Sequence, residues 1–424
     1  MKDQSKLRIL MLCEYFSPFD RGGSEWSSLY LARQLIKKGH HVQVFTPNYG
    51  SLPRATKNRL VINRFPFNKK LSPADAAISP YWHTNISWWA KSTWFLFKLI
   101  AGENFDILHV QGKYFLPAAI IVGKIKHIPV IVTLRDYQIL CPLGFCLWHK
   151  RQRCSLVEFF TRDIPTYTEY YQKESSRFLK IISVFLHLRL RFISFLLRLF
   201  ARHVNQIVFL SQSQRRIFAA NGLIRSTVIA NSVSGKIKPL KAKKDQVVYL
   251  GRLTPGKGAH LLVPIFAAAK LKPQVKLLII GEGFLTHRIK EQIKEYHQEK
   301  AVKLTGRLSH RRALQELERS KVALLPSLWP EPFGRSTLEA IFHACPVVTT
   351  TLGGPKEIIQ NIFGRTAKPT IPDLSLKLRE VLAKSDHFQK NIIKHEASLQ
   401  QRFVSQPVSQ YEKVYARLLK ARQP

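Results

Sequence analysis

QVVYLGRLTPGKG (246–258) reads as an apolar strand that breaks into a glycine-containing turn, with a helical pattern behind it. Strand, glycine turn and helix in that order open a doubly wound α/β domain. The chain begins the same way. LRILMLC (7–13) is an apolar run of the buried-strand type, followed by the turn Asp20-Arg21-Gly22-Gly23-Ser24. A helical pattern then runs from Glu25 to Lys38, and HVQVFTP (41–47) is the next strand. FDILHVQG (105–112) and IPVIVTLRD (128–136) repeat the strand signal in the first half. KLLIIGEG (276–283), AVKLTGR (301–307), KVALLPS (321–327) and CPVVTTT (345–351) repeat it in the second. The pattern predicts two α/β domains in tandem, with the lysine-rich stretch Lys236 to Lys244 as linker. The expected division is a Rossmann-like domain over 1–205, a second over 206–385, and closing helices over 386–424 that return to the first.

Composition agrees with two globular cores. The chain has 424 residues, too many for one ordinary core, and its 45% hydrophobic content excludes bulk disorder. Lys and Arg number 67 against 27 Asp and Glu, a net charge of +40. Such an excess predicts attraction to polyanions: phosphorylated substrates, an anionic leaflet or nucleic acid. No motif for specific nucleic-acid reading accompanies it. Five cysteines are too few, and odd in number, for a secreted disulfide framework. Cys141, Cys146 and Cys154, with His149 between them, lack a clean C-x2-C pair, so free thiols are expected rather than a metal site. The polar start Met1 to Arg8 leads straight into a strand run without a signal-peptide core, which predicts a cytoplasmic protein.

Two segments point to a membrane surface. LKIISVFLHLRLRFISFLLRLF (179–200) carries Lys180, Ser183, His187, Arg191, Ser194 and Arg198 along one helical stripe, extended by Arg202. A spanning helix would lose roughly 2.5–3.5 kcal/mol for each central Arg. An interfacial helix suits the pattern, with its apolar face in the acyl chains and its cations on lipid phosphates; a core helix with its stripe in water is the alternative. YWHTNISWWAKSTWFLF (81–97) holds four of the seven tryptophans, as a headgroup-level belt or a domain core would.

The chemistry concentrates in Trp329-Pro330-Glu331-Pro332-Phe333-Gly334-Arg335-Ser336-Thr337-Leu338-Glu339-Ala340. Glu331 stands in the loop after KVALLPS, and Glu339 lies in the helix that follows. Backbone N–H groups around Phe333, Gly334 and Arg335 come at or near that helix N-terminus, a place to bind anionic or hydroxyl oxygens. Glu339 is suited to a ribose diol and Glu331, nearer the loop mouth, to a hexose.

E-P-F-G-x-x-x-x-E-A after an apolar strand resembles glycosyltransferase family 4, whose members have two Rossmann-like domains facing across a cleft, the GT-B fold. Gly251-Arg252-Leu253-Thr254-Pro255-Gly256-Lys257-Gly258 is similar to the family's G-R-L-x-x-x-K-G loop. The resemblance implies that Arg252 and Lys257 neutralise the donor diphosphate and stabilise the leaving nucleotide, as fixed cations in a water-excluded site do. Gly281-Glu282-Gly283 matches a G-x-G that lines the nucleotide site. Gly22-Gly23-Ser24-Glu25 resembles the G-G-x-E turn whose backbone approaches the donor phosphates. Leu210-Ser211-Gln212-Ser213, Val228 to Val233 and Gly353-Gly354-Pro355-Lys356-Glu357 match further family passages, and residues 400–419 match its closing helix.

On the acceptor side, Asp106-Ile107-Leu108-His109-Val110-Gln111 is similar to a D-h-h-H-h-H strand end, with Gln111 in place of the second His. Thr133 to Pro142 resembles T-h-H-D-Y-x-x-x-C-P, with Arg135 where many relatives have His and with Asp136 retained. A guanidinium stays protonated, so Arg135 is expected to bind charge rather than move protons. The chain contains no Asp-x-Asp pair to hold a metal–diphosphate complex.

The resemblance thus implies a retaining, metal-independent glycosyltransferase with no cofactor. Its catalytic groups would be Glu331, Arg252 and Lys257. Gly22, Gly23, Gly281, Phe333, Gly334, Arg335 and Glu339 would bind the nucleotide-sugar donor; His109, Arg135 and Asp136 would face the acceptor. The least matched segments are the aromatic and amphipathic ones, which points to a lipid-linked or membrane-presented acceptor in cell-envelope glycan synthesis. An anionic membrane surface, met through 179–202 at the inner face of the cytoplasmic membrane, is the expected partner. A nucleotide-sugar epimerase of the same fold and a non-catalytic basic binding protein are the alternatives.

Overall fold

The computed structural model describes residues 6–19, 22–72, 78–144, 155–171, 177–233, 235–239 and 242–421, which form two compact units. The first unit takes in Met1–Gly144, Ser176–Ser234 and Phe403–Pro424. Its strands are β1 (Arg8–Leu12), β2 (His41–Asn48), β3 (Arg54–Lys57), β4 (Leu60–Pro66), β5 (Ile107–Val110), β6 (Val130–Thr133), β7 (Gln206–Phe209) and β8 (Ser226–Val228). They make one sheet in the order β3-β4-β2-β1-β5-β6-β7-β8, parallel except for β3 against β4. β1 pairs with β2 through Ile9 and Val42, and with β5 through Ile9 and Ile107. Central strands are apolar at nearly every position because helices cover both faces of a parallel sheet.

The second unit takes in Phe145–Ser175 and Gly235–Arg402. Its sheet runs β11 (Val302–Gly306), β10 (Lys276–Ile280), β9 (Lys244–Leu250), β12 (Ser320–Leu325), β13 (Val347–Thr350), β14 (Gly364–Ala367), all parallel. In each unit the strand order reverses beside the first strand: between β1 and β5, and between β9 and β12. Loops at the carboxyl ends of strands part at such a point and leave room for a ligand.

Four sequence expectations need amendment. The first domain does not end at 205, because β7 and β8 hydrogen-bond onto β6 and complete its sheet. Of the closing helices expected to return to the first domain, Ser385–Lys394 and Glu396–Gln400 belong instead to the second unit; only Gln406–Lys420 joins the first, where Val408, Tyr411, Val414 and Tyr415 enter the core of Ile9, Leu31, Val44 and Ile107. The middle of the polar stripe of the helix Arg177–Arg202 turns to the protein, while Arg202 at its end is exposed: His187 and Ser194 are buried, the Ser194 hydroxyl donates to the Gln138 carbonyl (2.7 Å), and Arg191 donates to Leu140 O (2.8 Å). The aromatic stretch divides: Trp88 is core, packed on Phe65, Phe67 and His83, while Trp94 is exposed. Cys146, His149 and Cys154 lie outside the described residues, and Cys141 is buried.

Candidate active site

The expected site residues fall into two groups, one in each unit. In the second unit they gather at the carboxyl ends of β9, β10 and β12. Gly251 and Arg252 follow β9, and Lys257 closes a single helical turn, Pro255–Lys257, that ends on left-handed Gly258. Gly281 follows β10 with φ of 149°, and a Cβ there would stand 1.9 Å from the Gly251 carbonyl oxygen. Only glycine allows the two strand ends to approach so closely.

Glu331 sits in the loop after β12 with its side chain 13% exposed. Lys257 Nζ lies 2.9 Å from its Oε2, and the Ser327 hydroxyl donates to its Oε1. Burial pushes this carboxyl up, but Lys257, Ser327 and Arg252 together outweigh it and hold the group below the usual carboxylate range. Lys257 also stands 5.9 Å over the Trp329 ring. Tyr249 lies beneath the loop and donates to the Arg252 carbonyl (2.7 Å); its phenol is pushed up by burial and by Glu331. Arg252 itself is exposed.

Phe333 is buried, and Gly334 (φ 91°) starts the helix Arg335–Phe342 without a side-chain cap. A Cβ at Gly334 would meet Pro355 Cγ at 2.6 Å. One turn on, Glu339 is 9% exposed and its Oε1 meets Arg335 Nε (2.8 Å) and His310 Nε2 (3.1 Å). Burial raises its carboxyl, yet the His310 contact and Arg335 bring it below the ordinary range. Two half-enclosed carboxylates are therefore kept ionised, each by its own cationic or donor partners. Ser327 and His310 were missed as partners: Ser327 stood in the quoted strand end, but nothing in the sequence ties His310 to a residue 29 positions away.

In the first unit, Gly22 and Gly23 begin the helix Gly23–Lys37, again without a side-chain cap. In its first turn the Ser24 hydroxyl donates to Glu25 (2.6 Å), whose carboxyl is raised by burial. Arg135 donates to Asn231 Oδ1 (3.0 Å) and to Gln111 Oε1. Asp136 pairs with Lys113, whose ammonium burial disfavours; Asp136 reverses that and holds Lys113 above its ordinary value. Glu14 accepts from the backbone N–H groups of Lys113 and Tyr114, at 2.7 Å each. Sequence reading singled out neither Lys113 nor Glu14. Lys113, Thr84 and Gln138 also line a small cavity with Leu190, Ile193 and Leu197.

His109 is not at this surface. It is fully buried, with Nδ1 2.7 Å from Tyr415 Oη and Nε2 2.8 Å from both Thr133 Oγ1 and the Gln111 carboxamide nitrogen. Burial and nearby Arg135 lower its pKa to about 3. It braces Gln111, and through it Arg135, from inside the sheet. Among the described residues no three His, Cys, Asp or Glu side chains come together as a metal set.

Comparison with known proteins agrees with this arrangement. The Glycosyltransferase Family 4 model matches residues 21–234, and that of the Glycosyl transferases group 1 matches 234–397. The chain belongs to glycosyltransferase family 4. It is 32% identical to a glycogen synthase of Mycobacterium tuberculosis over 38% of this chain and 41% of that one. It is 27% identical to the phosphatidylinositol N-acetylglucosaminyltransferase gpi3 subunit of Schizosaccharomyces pombe, over 52% of this chain and 50% of that one. The chain thus spans about half or less of the length of these relatives. Among solved structures, sucrose-phosphate synthase of Thermosynechococcus elongatus matches 98% of this chain and all of its own at TM-score 0.71 and 16% identity. Anabaena HepE in complex with UDP matches the same shares at 0.64 and 19%. Both likenesses bear on the fold, two parallel-sheet α/β domains of GT-B type.

Proposed function

We propose that the protein transfers a sugar from a nucleotide-sugar to a lipid-linked or membrane-presented acceptor, with retention of anomeric configuration and without a metal, in envelope glycan synthesis. The observation that carries the reading is the Lys257–Glu331 pair, a carboxylate held ionised in a buried loop by a lysine, with Arg252 close by. The UDP held by Anabaena HepE and the acceptor in the name of the gpi3 subunit support a nucleotide-sugar donor and a lipid acceptor.

Arg252 and Lys257 take the diphosphate, so that the leaving group's growing charge meets fixed cations. Lys257 turns from Glu331 Oε2 to the phosphate, and the freed carboxylate orients a hexose hydroxyl and steadies positive charge at the anomeric carbon. Glu339 takes the ribose diol, while the N–H groups of Gly334 and Arg335 take sugar or phosphate oxygens. The bond from the anomeric carbon to the phosphate oxygen breaks, and the acceptor oxygen bonds the same face. The acceptor proton passes to the departing phosphate. Gly22 and Gly23 offer backbone to the donor, and Arg135, Asp136 and Lys113 offer charge to the acceptor.

The test incubates purified protein with UDP-, GDP- and ADP-sugars in EDTA, with and without a membrane lipid extract, and measures nucleotide release. Release that requires lipid, survives EDTA and disappears in Glu331→Ala is expected, with a product of unchanged anomeric configuration by NMR. Absence of donor consumption under every condition, with donor still bound, refutes turnover.

A further inference from the structure

The helix Arg177–Arg202 turns polar groups inward beside Leu190, Ile193, Leu197 and Ala201 and leaves large apolar groups outside. Its polar residues His187, Arg191 and Ser194 face the protein, and Phe185 (68% exposed), Leu188, Phe192 (59%) and Phe195 stand exposed, with Arg189 among them. The spacing of three and four residues places them along one stripe. The helix Ile86–Gly102 exposes Ile86, Trp94 (57%) and Phe97, and the helix Leu116–Ile125 exposes Ile121 and Ile125 (57%), each again at helical spacing. These helices lie side by side, Leu116–Ile125 packing against both others, so their outer stripes share one side of the first sheet. The Arg189 guanidinium fastens the long helix to this layer by donating to Thr84 O (3.2 Å) and standing 5.7 Å from the Tyr81 ring.

Cations are set among the apolar groups. Lys98 stands 5.5 Å over Trp94, Lys126 4.7 Å over Phe97 and Arg198 5.7 Å from Phe195, while Lys124 is exposed between Ile121 and Ile125. No acidic residue occurs in 86–102, 116–126 or 177–202. A contiguous apolar face of this extent marks an interaction surface. Its uniform positive charge, in a chain of net +40, selects an anionic partner. Among the described residues no helix is long and apolar enough to cross a membrane, so the three stripes lie on a surface rather than span one.

We infer that the outer stripes of these three helices form a single docking face for an anionic phospholipid bilayer. Phe185, Phe192, Phe195, Trp94 and Ile125 enter the acyl boundary, and Lys98, Lys124 and Lys126 meet headgroup phosphates. The long helix contributes its apolar side, not its polar stripe, to the lipid. The face belongs to the first unit and shares no residue with the Glu331 loop, so this inference does not depend on the transfer reaction.

Its test is sedimentation of the full chain with phosphatidylcholine vesicles, with and without phosphatidylglycerol. Binding is expected only with phosphatidylglycerol, weakening as salt rises. Phe185→Asn/Phe192→Asn/Phe195→Asn should lower the vesicle partition coefficient by at least roughly tenfold, and Lys98→Glu/Lys124→Glu should abolish the preference for anionic lipid. All five side chains are exposed, so the variants should keep wild-type circular dichroism and UDP affinity. Wild-type binding by the triple variant overturns the proposal, as does failure of the wild type to bind. A concentration-dependent dimer that the triple variant disperses, without vesicle binding, assigns the face to a second copy instead. Vesicle binding without sugar transfer leaves the surface standing and removes only the reaction.

Discussion

Glu331 is charged in a place that disfavours charge. Its ionisation rests on Lys257, on the Ser327 hydroxyl and on Arg252. Lys257→Met removes the nearest cation, so the carboxyl should rise, and the acid limb of the pH–rate profile should move to higher pH. The sign follows from the ionised form being the active one: activity falls as pH drops through this pKa. The same pair adds stability that is present above the unfolded carboxylate value and lost as pH falls through the lower folded one. Glu331→Gln keeps the shape and removes the charge; turnover should fall by about two to three orders of magnitude with UDP affinity within a few fold, as calorimetry and initial rates would show. These residues were legible because a loop motif places carboxylate and cation at fixed distances from strand ends. His109 was misplaced for the opposite reason, since the Tyr415 hydroxyl that locks it inside lies 306 residues away.

Helix ends decide how the site is held. Gly334 carries a positive φ at the start of Arg335–Phe342, and a side chain there would strike Pro355. Gly334→Ala should therefore cost about 1–3 kcal/mol in urea unfolding and raise KM for the donor more than it lowers kcat. An unchanged KM would mean that the N–H groups of this helix do not hold donor. The glycine was readable as a turn residue, but its clash partner comes from the later Gly353-Gly354-Pro355 turn, which local sequence does not connect to it. The helix Arg177–Arg202 teaches a related lesson. Periodicity gave the stripe and its polarity correctly, yet a period carries no information about which side turns inward. Carbonyl acceptors at Gln138 and Leu140 settled that, by drawing the polar side to the protein.

At the scale of the molecule, the two α/β units and most of their strands were legible from apolar runs and glycine turns. The boundary was not, because β7 and β8 resemble any other short strands and only their pairing with β6 assigns them. The first unit should also respond to acid as a whole. His83 and His109 are both lowered to about 3, chiefly by burial, so the folded unit binds fewer protons than the unfolded chain below about pH 6.5. Each should remove up to about 1.4 kcal/mol of stability per pH unit as pH falls from there. Glu14 and Glu25, raised by burial, oppose the trend nearer the carboxylate range, so the loss should be clearest between about pH 6.5 and 5.5. Urea titrations at the two ends of that window would reveal it, and a flat profile would mean that the histidines are hydrated. The core of this unit is also assembled from distant parts of the chain: Val408, Tyr411, Val414 and Tyr415 complete a cluster begun by Leu7 and Ile9. A ribosome making this protein must therefore finish the entire intervening unit before the earliest strands receive their last covering helix. The beginning of the message is among the last parts to become fully native, and until then its half-built interior is a natural client for chaperones.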